Sequence, residues 1–285
     1  MSVLITTYER HRDLAQCMRA VVLQQGPNVD VEICVVNDGG RPIDDVVRSF
    51  EGATVRYTNF IRNYGQVEAR NAALEMATGE FIAICDDDDR WLPGHVNRLL
   101  DALQGAGSGA VLAYSDAEIV SLRRQGDSVI VRDRRAFAWS GVESLLCEYN
   151  PIVPSSVVYR RSVHAEVGAF DKQVSHYWDW DFFLRCQAVG PLVRVPVCDT
   201  LYALHGDGAN LSANPADMNP ALDVLCQKHK LGKLPVSNFY LMTEDRRLQA
   251  YRAETTLLWD GNPEPWWTDV SQIELELLAR RKQEV

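Results

Sequence analysis

An α/β fold built on a mainly parallel sheet is predicted by two features of this 285-residue chain. Short apolar runs of strand length alternate with segments whose apolar residues recur at helical spacing. Several of those runs end in clusters of polar residues instead of fading into ordinary turns. The alternation implies βαβ units, and in such sheets ligands bind outside the carboxyl ends of the strands.

Residues 3–6 are a short buried-strand run, and 12–24 carry Leu14, Cys17, Met18, Val21 and Val22 at helical spacing. A second strand over 31–36 runs into Asn37-Asp38-Gly39-Gly40, a strong turn signal. Residues 43–50 read as a helix and 54–57 as a strand. Residues 66–77 are helical, with Val67, Leu74 and Ala77 on one side and Gly79 just past the end. The strand 81–85 then delivers four consecutive aspartates, Asp86 to Asp89, and Pro93 suits the first turn of the next helix. Beyond it, 110–114, 129–131, 155–159, 192–197 and 200–204 read as strands and 178–189 as a helix. The pattern changes after Asn210. A domain over 1–211 is therefore expected, followed by a helical C-terminal extension over 212–285.

Composition narrows the class. The hydrophobic share of 46% and charged share of 24% are those of an ordinary globular protein. A formal charge of −10 argues against a nucleic-acid partner, because phosphate backbones need clustered Lys and Arg. Seven scattered cysteines without a C-x-x-C pair fit a reducing compartment and buried thiols. No apolar stretch approaches the roughly 20 residues that span a bilayer, and the N-terminus reads as a strand instead of a signal peptide. The expectation is a cytoplasmic protein, with peripheral membrane association left open.

Three strand ends on one side of one sheet form a site: Thr6-Thr7-Tyr8, Asn37-Asp38 and Asp86 to Asp89. Like charges packed into one turn repel, and become favourable when a divalent cation sits among them; the other reading is a solvated acidic turn. Asp38 suits a uracil imide N–H or a ribose hydroxyl, or an Asx-turn closed on its own backbone. Thr6, Thr7 and Tyr8 could contact the same base, or Tyr8 could be a packing residue at a strand end. Gly65 permits close backbone approach where a helix opens. Arg70 is placed to pair with Asp38, an aspartate of the cluster or a phosphate, or to form a surface ion pair.

The segments Ile5-Thr6-Thr7-Tyr8-Glu9-Arg10, Val35-Val36-Asn37-Asp38-Gly39, Asn63-Tyr64-Gly65 with Ala69-Arg70-Asn71, and Gly79 to Asp89 with Trp91-Leu92-Pro93 resemble, in order and interval, glycosyltransferase family 2. These are enzymes of the GT-A fold, a Rossmann-like sheet flanked by helices. The match is good over about 1–116 and thins to about 210, which would make 1–116 the nucleotide-binding half and 117–211 the acceptor-binding half. The resemblance implies a nucleotide-sugar donor (UDP-linked, by family frequency), a divalent cation (Mn²⁺ or Mg²⁺) and transfer with inversion to a glycan, lipid-linked or small-molecule acceptor. By position, Asp38 resembles the base-recognition aspartate, and Asp86 and Asp88 fill the acidic places of the D-x-D motif, with Asp88 as the main metal contact. Asp87 stands where a small residue is usual; with Asp89 it either tightens the site or faces away. Trp178-Asp179-Trp180-Asp181 resembles a later motif in which Asp179 is the catalytic base. Trp178 departs from the acidic residue expected before it. Trp178 or Trp180 could stack on an acceptor sugar or pack internally. His205, followed by glycines at 206 and 208 that suggest a mobile loop, resembles a histidine that contacts metal or pyrophosphate. Arg123, Arg124, Arg132, Arg134 and Arg135 would form a solvated loop, or contact an anionic acceptor or lipid headgroups.

Two other classes compete. A nucleotide-sugar-binding module without transferase activity is motivated by the Trp178 departure. A metal-dependent phosphatase using Asp86 and Asp88 lacks a following phosphate-binding Gly/Lys pattern. Arg90 and a misplaced glycine argue against an EF-hand, and no G-x-G-x-x-G supports a dinucleotide oxidoreductase.

Overall fold

The computed structural model describes residues 1–126, 128–205 and 215–267. Its centre is a ten-stranded sheet: β1 Ser2–Thr7, β2 Glu32–Asn37, β3 Thr54–Asn59, β4 Phe81–Ile84, β5 Arg90–Trp91, β6 Leu112–Gln125, β7 Ser128–Phe137, β8 Val157–Arg160, β9 Leu192–His205 and β10 Thr256–Leu257. The helices are α1 His11–Val22, α2 Asp44–Arg48, α3 Gln66–Met76, α4 His95–Gly105, α5 Val142–Leu145, α6 His164–Val167, α7 Trp178–Val189, α8 Pro215–His229, α9 Phe239–Glu244 and α10 Glu264–Trp267.

Strand order is β10-β9-β6-β8-β4-β1-β2-β3, with β7 paired to β6 and β5 to β9. The block β4-β1-β2-β3 is parallel throughout, as the βαβ rhythm predicts, so the ends of β1, β2 and β4 share one edge. Antiparallel pairing enters with β8, which lies between β4 and β6. Side chains alternate across the strands. Val3, Ile5, Ile33 and Val35 pack against α1 and α4 through Leu14, Met18, Val96 and Leu99. Leu4, Cys34, Ile82 and Ile84 face the other way, onto α3, α7 and α8 through Val67, Ala73, Phe182 and Leu225.

Four expectations change in detail. The helix over 43–50 shrinks to α2, which buries none of its own residues; Ile43 and Phe50, just outside it, are the buried ones. Pro93 precedes the helix, which starts at His95 after Gly94. The strands over 192–197 and 200–204 are one strand, β9. Asp199 interrupts its apolar pattern yet is fully buried, held by His95 Nδ1 at 2.7 Å and Arg98 Nε at 2.8 Å. The five arginines lie on the β6–β7 hairpin, not in a loop. Arg124 pairs with Asp13, Arg134 with Glu118 and Arg135 with Glu244.

The C-terminal segment closes onto the sheet. Met242 and Leu248 pack with Ile119, Phe137 and Trp139, while Trp259 and Trp267 pack with Leu92, Val120 and Leu201. No helix among the described residues is long and apolar enough to cross a membrane. The glycines at 206 and 208, and the expected boundary near 212, lie outside the described residues, as does 268–285. Trp267 is fully buried. Trp267→Ala is therefore expected to destabilise the whole chain by about 3–5 kcal/mol. Urea titration followed by both far-UV and aromatic signals checks this; a loss confined to a separate C-terminal transition would show that the segment folds apart from the sheet.

Candidate active site

The four aspartates at the end of β4 are buried or nearly so, and each carboxylate has its own arrangement. Asp86 accepts from Arg70 Nη2 at 2.6 Å. Asp87 accepts from Thr7 Oγ1 at 2.6 Å and Arg10 Nη1 at 3.1 Å. The same Arg10 nitrogen donates to Asp88 Oδ2 at 2.8 Å. Asp89 turns inward, accepting from Ser155 Oγ at 2.5 Å and Ala203 N–H at 3.0 Å. Ser155 Oγ also accepts from Asp86 N–H at 3.0 Å, so one hydroxyl ties both ends of the cluster. Behind it, buried Arg90 donates to the carbonyls of Asp87, Asp89 and Trp266. Burial raises the pKa of Asp86; burial, then the Asp88 charge, pushes Asp87 up to about 7. Burial also drives Asp89 well above the usual carboxylate range. Asp87 is among the lining residues with its carboxylate tied to Thr7 and Arg10, while Asp89 is turned inward.

Asp38, at the end of β2, accepts the N–H groups of Tyr64 at 2.7 Å and Gly65 at 2.9 Å. It is therefore not an Asx-turn closed on its own backbone; it holds the loop that opens α3. Burial raises its pKa, opposed by those two N–H groups. Gly39 must be glycine for a steric reason: φ is +93° and a Cβ would come within 2.5 Å of the Arg62 backbone. Thr6, Thr7, Tyr8, Asp38, Gly65, Asp86, Asp87 and Asp88 line one cavity of about 770 Å³, within the range of small-molecule sites. Tyr8 is half exposed there, not packed as a strand-end residue in the core.

Arg70 is 1% exposed and is no surface ion pair. Its guanidinium bridges Asp86 and the face of Trp178, 3.7 Å from the ring centroid. The tryptophan in the place of an acidic residue thus gives a buried cation a π face. Trp180 donates Nε1–H to the Leu146 carbonyl at 2.8 Å. Both tryptophans are buried core residues that also line the cavity; one face of Trp178 is covered by Arg70 and Trp180 is anchored through its N–H.

Asp179 opens α7, 7% exposed at the cavity wall. Asn150 Nδ2 donates to its Oδ2 at 2.7 Å. Burial, reinforced by the negative charge of Asp86, pushes its pKa up to about 7. Two residues on, buried Asp181 takes Arg185, Lys228 and His229, fastening α7 to α8. His205 ends β9; burial lowers its pKa, while the charges of Asp88 and Asp13 oppose this. No group of three His, Cys, Asp or Glu side chains able to hold a metal occurs among the described residues. The donor chemistry fits a divalent ion only in part: carboxylate oxygen from Asp88 and the nearby imidazole, with further oxygens left to a ligand. None of the five arginines on the hairpin lines the cavity. Ser155 and Asn150 are contributors that carry no motif of their own, while Arg10 closes the family-like segment Ile5 to Arg10 with no role predicted for it there.

Residues 2–168 match the family model for glycosyl transferase family 2. The uncharacterized glycosyltransferase YwdF of Bacillus subtilis is 34% identical over 264 residues, 92% of this chain and 96% of that protein. The amylovoran biosynthesis glycosyltransferase AmsB of Erwinia amylovora is 25% identical, over 66% of this chain and 64% of its own length. Among solved structures, S. aureus TarS 1-349 in complex with UDP matches with a TM-score of 0.58 at 16% identity, over 80% of this chain and 64% of that one. The same protein in complex with UDP-GlcNAc also gives 0.58. At such identity the likeness is one of fold.

The geometry makes Ser155 a test of the cluster. Ser155→Ala removes the hydroxyl that serves Asp89 and Asp86, and is expected to destabilise the protein by about 1–3 kcal/mol. Chemical denaturation checks this, and an unchanged midpoint would show the hydroxyl to be dispensable.

Proposed function

The chain belongs to glycosyltransferase family 2, and from that premise we propose that it transfers a sugar from a nucleotide-diphosphate donor, UDP-linked, to an acceptor hydroxyl with inversion at the anomeric carbon. The observation that carries this reading is a buried carboxylate with a pKa near neutrality, Asp179, in the same cavity as Asp38 and Asp86 to Asp88. The UDP and UDP-GlcNAc complexes of TarS support a nucleotide-sugar donor.

Asp38 and the Tyr64–Gly65 backbone that it holds receive the nucleoside, with Thr6, Thr7 and Tyr8 beside them. Arg70 holds Asp86 in place and opposes the rise in its pKa that burial causes. Asp88, with His205 near it, would hold a divalent cation, which supplies Lewis-acid stabilisation of the departing diphosphate. Asp179 accepts the proton of the acceptor hydroxyl as that oxygen attacks the anomeric carbon and the bond to the nucleotide breaks. Asn150 orients Asp179 through the oxygen it binds.

A base must be ionised to act. With a pKa near 7, Asp179 is mostly protonated below neutrality, so kcat/KM should fall as pH drops below about 7. Asp179→Asn should lower kcat about 10²–10⁴-fold and remove that limb; transfer that persists in a folded variant would refute the assignment. A thermal-shift series with UDP, GDP and dTDP, with and without Mn²⁺, tests the donor and the cation. UDP at about 100 times its Kd should add about 2.7 kcal/mol of stability, and should do so more strongly with Mn²⁺. No shift with any of the three would count against a nucleotide donor.

A further inference from the structure

Asp179 shares the cavity lining with Asp38 and Asp86 to Asp88, the donor end. The same lining includes Glu148, Tyr149 and Asn150 after α5, Tyr202 of β9, and Phe239 and Met242 of α9; Asn150 bonds Asp179, and Phe239 and Tyr202 pack on the cluster that holds Tyr149 and Met242. Phe239 and Met242 bring the C-terminal segment into this wall, a part of the chain with no step assigned to it. Building on the glycosyl-transfer reading, we infer that this end seats an uncharged sugar ring of the acceptor against Phe239 and Tyr202, and discriminates against acceptors phosphorylated on that ring.

Charge is the first argument. No lysine or arginine among the described residues lines this end. The cations that line the cavity are Arg10, engaged with Asp87 and Asp88, and Lys172, paired with Glu68 on the α3 side. His176, also on the lining, shares a hydrogen bond with Ser175 Oγ at 3.1 Å. A phosphate is recognised by guanidinium, ammonium or clustered N–H donors. Here it would meet the Glu148 and Asp179 carboxylates, of the same sign.

Shape and polarity are the second argument. A pyranose presents an apolar C–H face and a rim of hydroxyls. Phe239 is fixed as a wall by edge-on contacts to Tyr202 and to Phe137, each with centroids 5.2 Å apart. Tyr149 and Met242 are buried beside it. Such a surface takes an apolar face, while carboxylate and amide groups at Glu148 and Asn150 suit hydroxyl partners. Asn150, next to Tyr149 in this wall, bonds Asp179, so a ring seated here has the base within the same lining.

Calorimetric titration of the UDP-saturated protein in Mn²⁺ tests this, using methyl glycosides of glucose, galactose, mannose and N-acetylglucosamine and the 6-phosphate of each. At least one neutral glycoside should bind, with its 6-phosphate about tenfold weaker or more. Phe239→Ala should weaken that glycoside by a similar factor while UDP affinity stays within about twofold, and Phe239→Tyr should restore it. Equal or tighter binding of the phosphate, no binding by any glycoside, or indifference to Phe239→Ala overturns the inference while leaving the donor reading intact. Loss of UDP binding in Phe239→Ala gives that ring a structural role and overturns its part here. Failure of the unmodified protein to bind UDP in the same titration instead overturns the proposed function beneath it.

Discussion

Keeping four adjacent carboxylates largely out of water at the end of a strand is the constraint from which much of this structure follows. An unpaired buried charge is strongly unfavourable, so each must be paired, hydrogen-bonded or neutralised. The chain uses all three devices. Two guanidinium groups from different elements, Arg70 and Arg10, cover three of the aspartates. The fourth receives a hydroxyl and a backbone N–H and has its pKa driven upward. The sharp turn is braced from behind by Arg90. The placement of β8 next to β4 follows the same need, since Ser155 arrives on the turn just before it.

The same electrostatics reaches Asp179. It lies close enough to Asp86 to feel that charge, yet Arg70 reaches from α3 to α7 with one side on Asp86 and the other on Trp178. The cation tempers the repulsion and packs the two helices at once. Asp179 is raised only to about 7, where a carboxylate still yields a usable ionised fraction at neutral pH. Full burial beside a second carboxylate without such a mediator pushes a pKa much further.

Legibility in the sequence follows the range of the interactions. The ends of β1, β2 and β4 are readable because an uninterrupted apolar run followed by polar residues has a single simple explanation. Asp38, Asp86 and Asp88 sit in those runs, and α7 begins and ends where its periodicity places it. The β6–β7 hairpin was hidden by its arginines, whose partners Glu118, Asp13 and Glu244 are remote or on another strand. Asp199 hid the continuity of β9 because a lone acid in a strand looks like a break until His95 and Arg98 close around it. Ser155 and Asn150 are ordinary residues locally, and their roles exist only through contacts with Asp89 and Asp179.

Arg90 gives the site a temporal dimension. Its Nε–H is satisfied by the Trp266 carbonyl, 176 residues downstream, and Asp89 by Ser155 and Ala203. On the ribosome, the acidic turn therefore emerges long before the groups that make its burial tolerable. Strands β1, β2 and β4 can pair early, but the turn between β4 and β5 lacks the Trp266 carbonyl until that residue has been made. A nascent or truncated chain ending at the middle of the sheet would hold its most acidic segment open to water, because Ser155, Ala203 and Trp266 would all be absent.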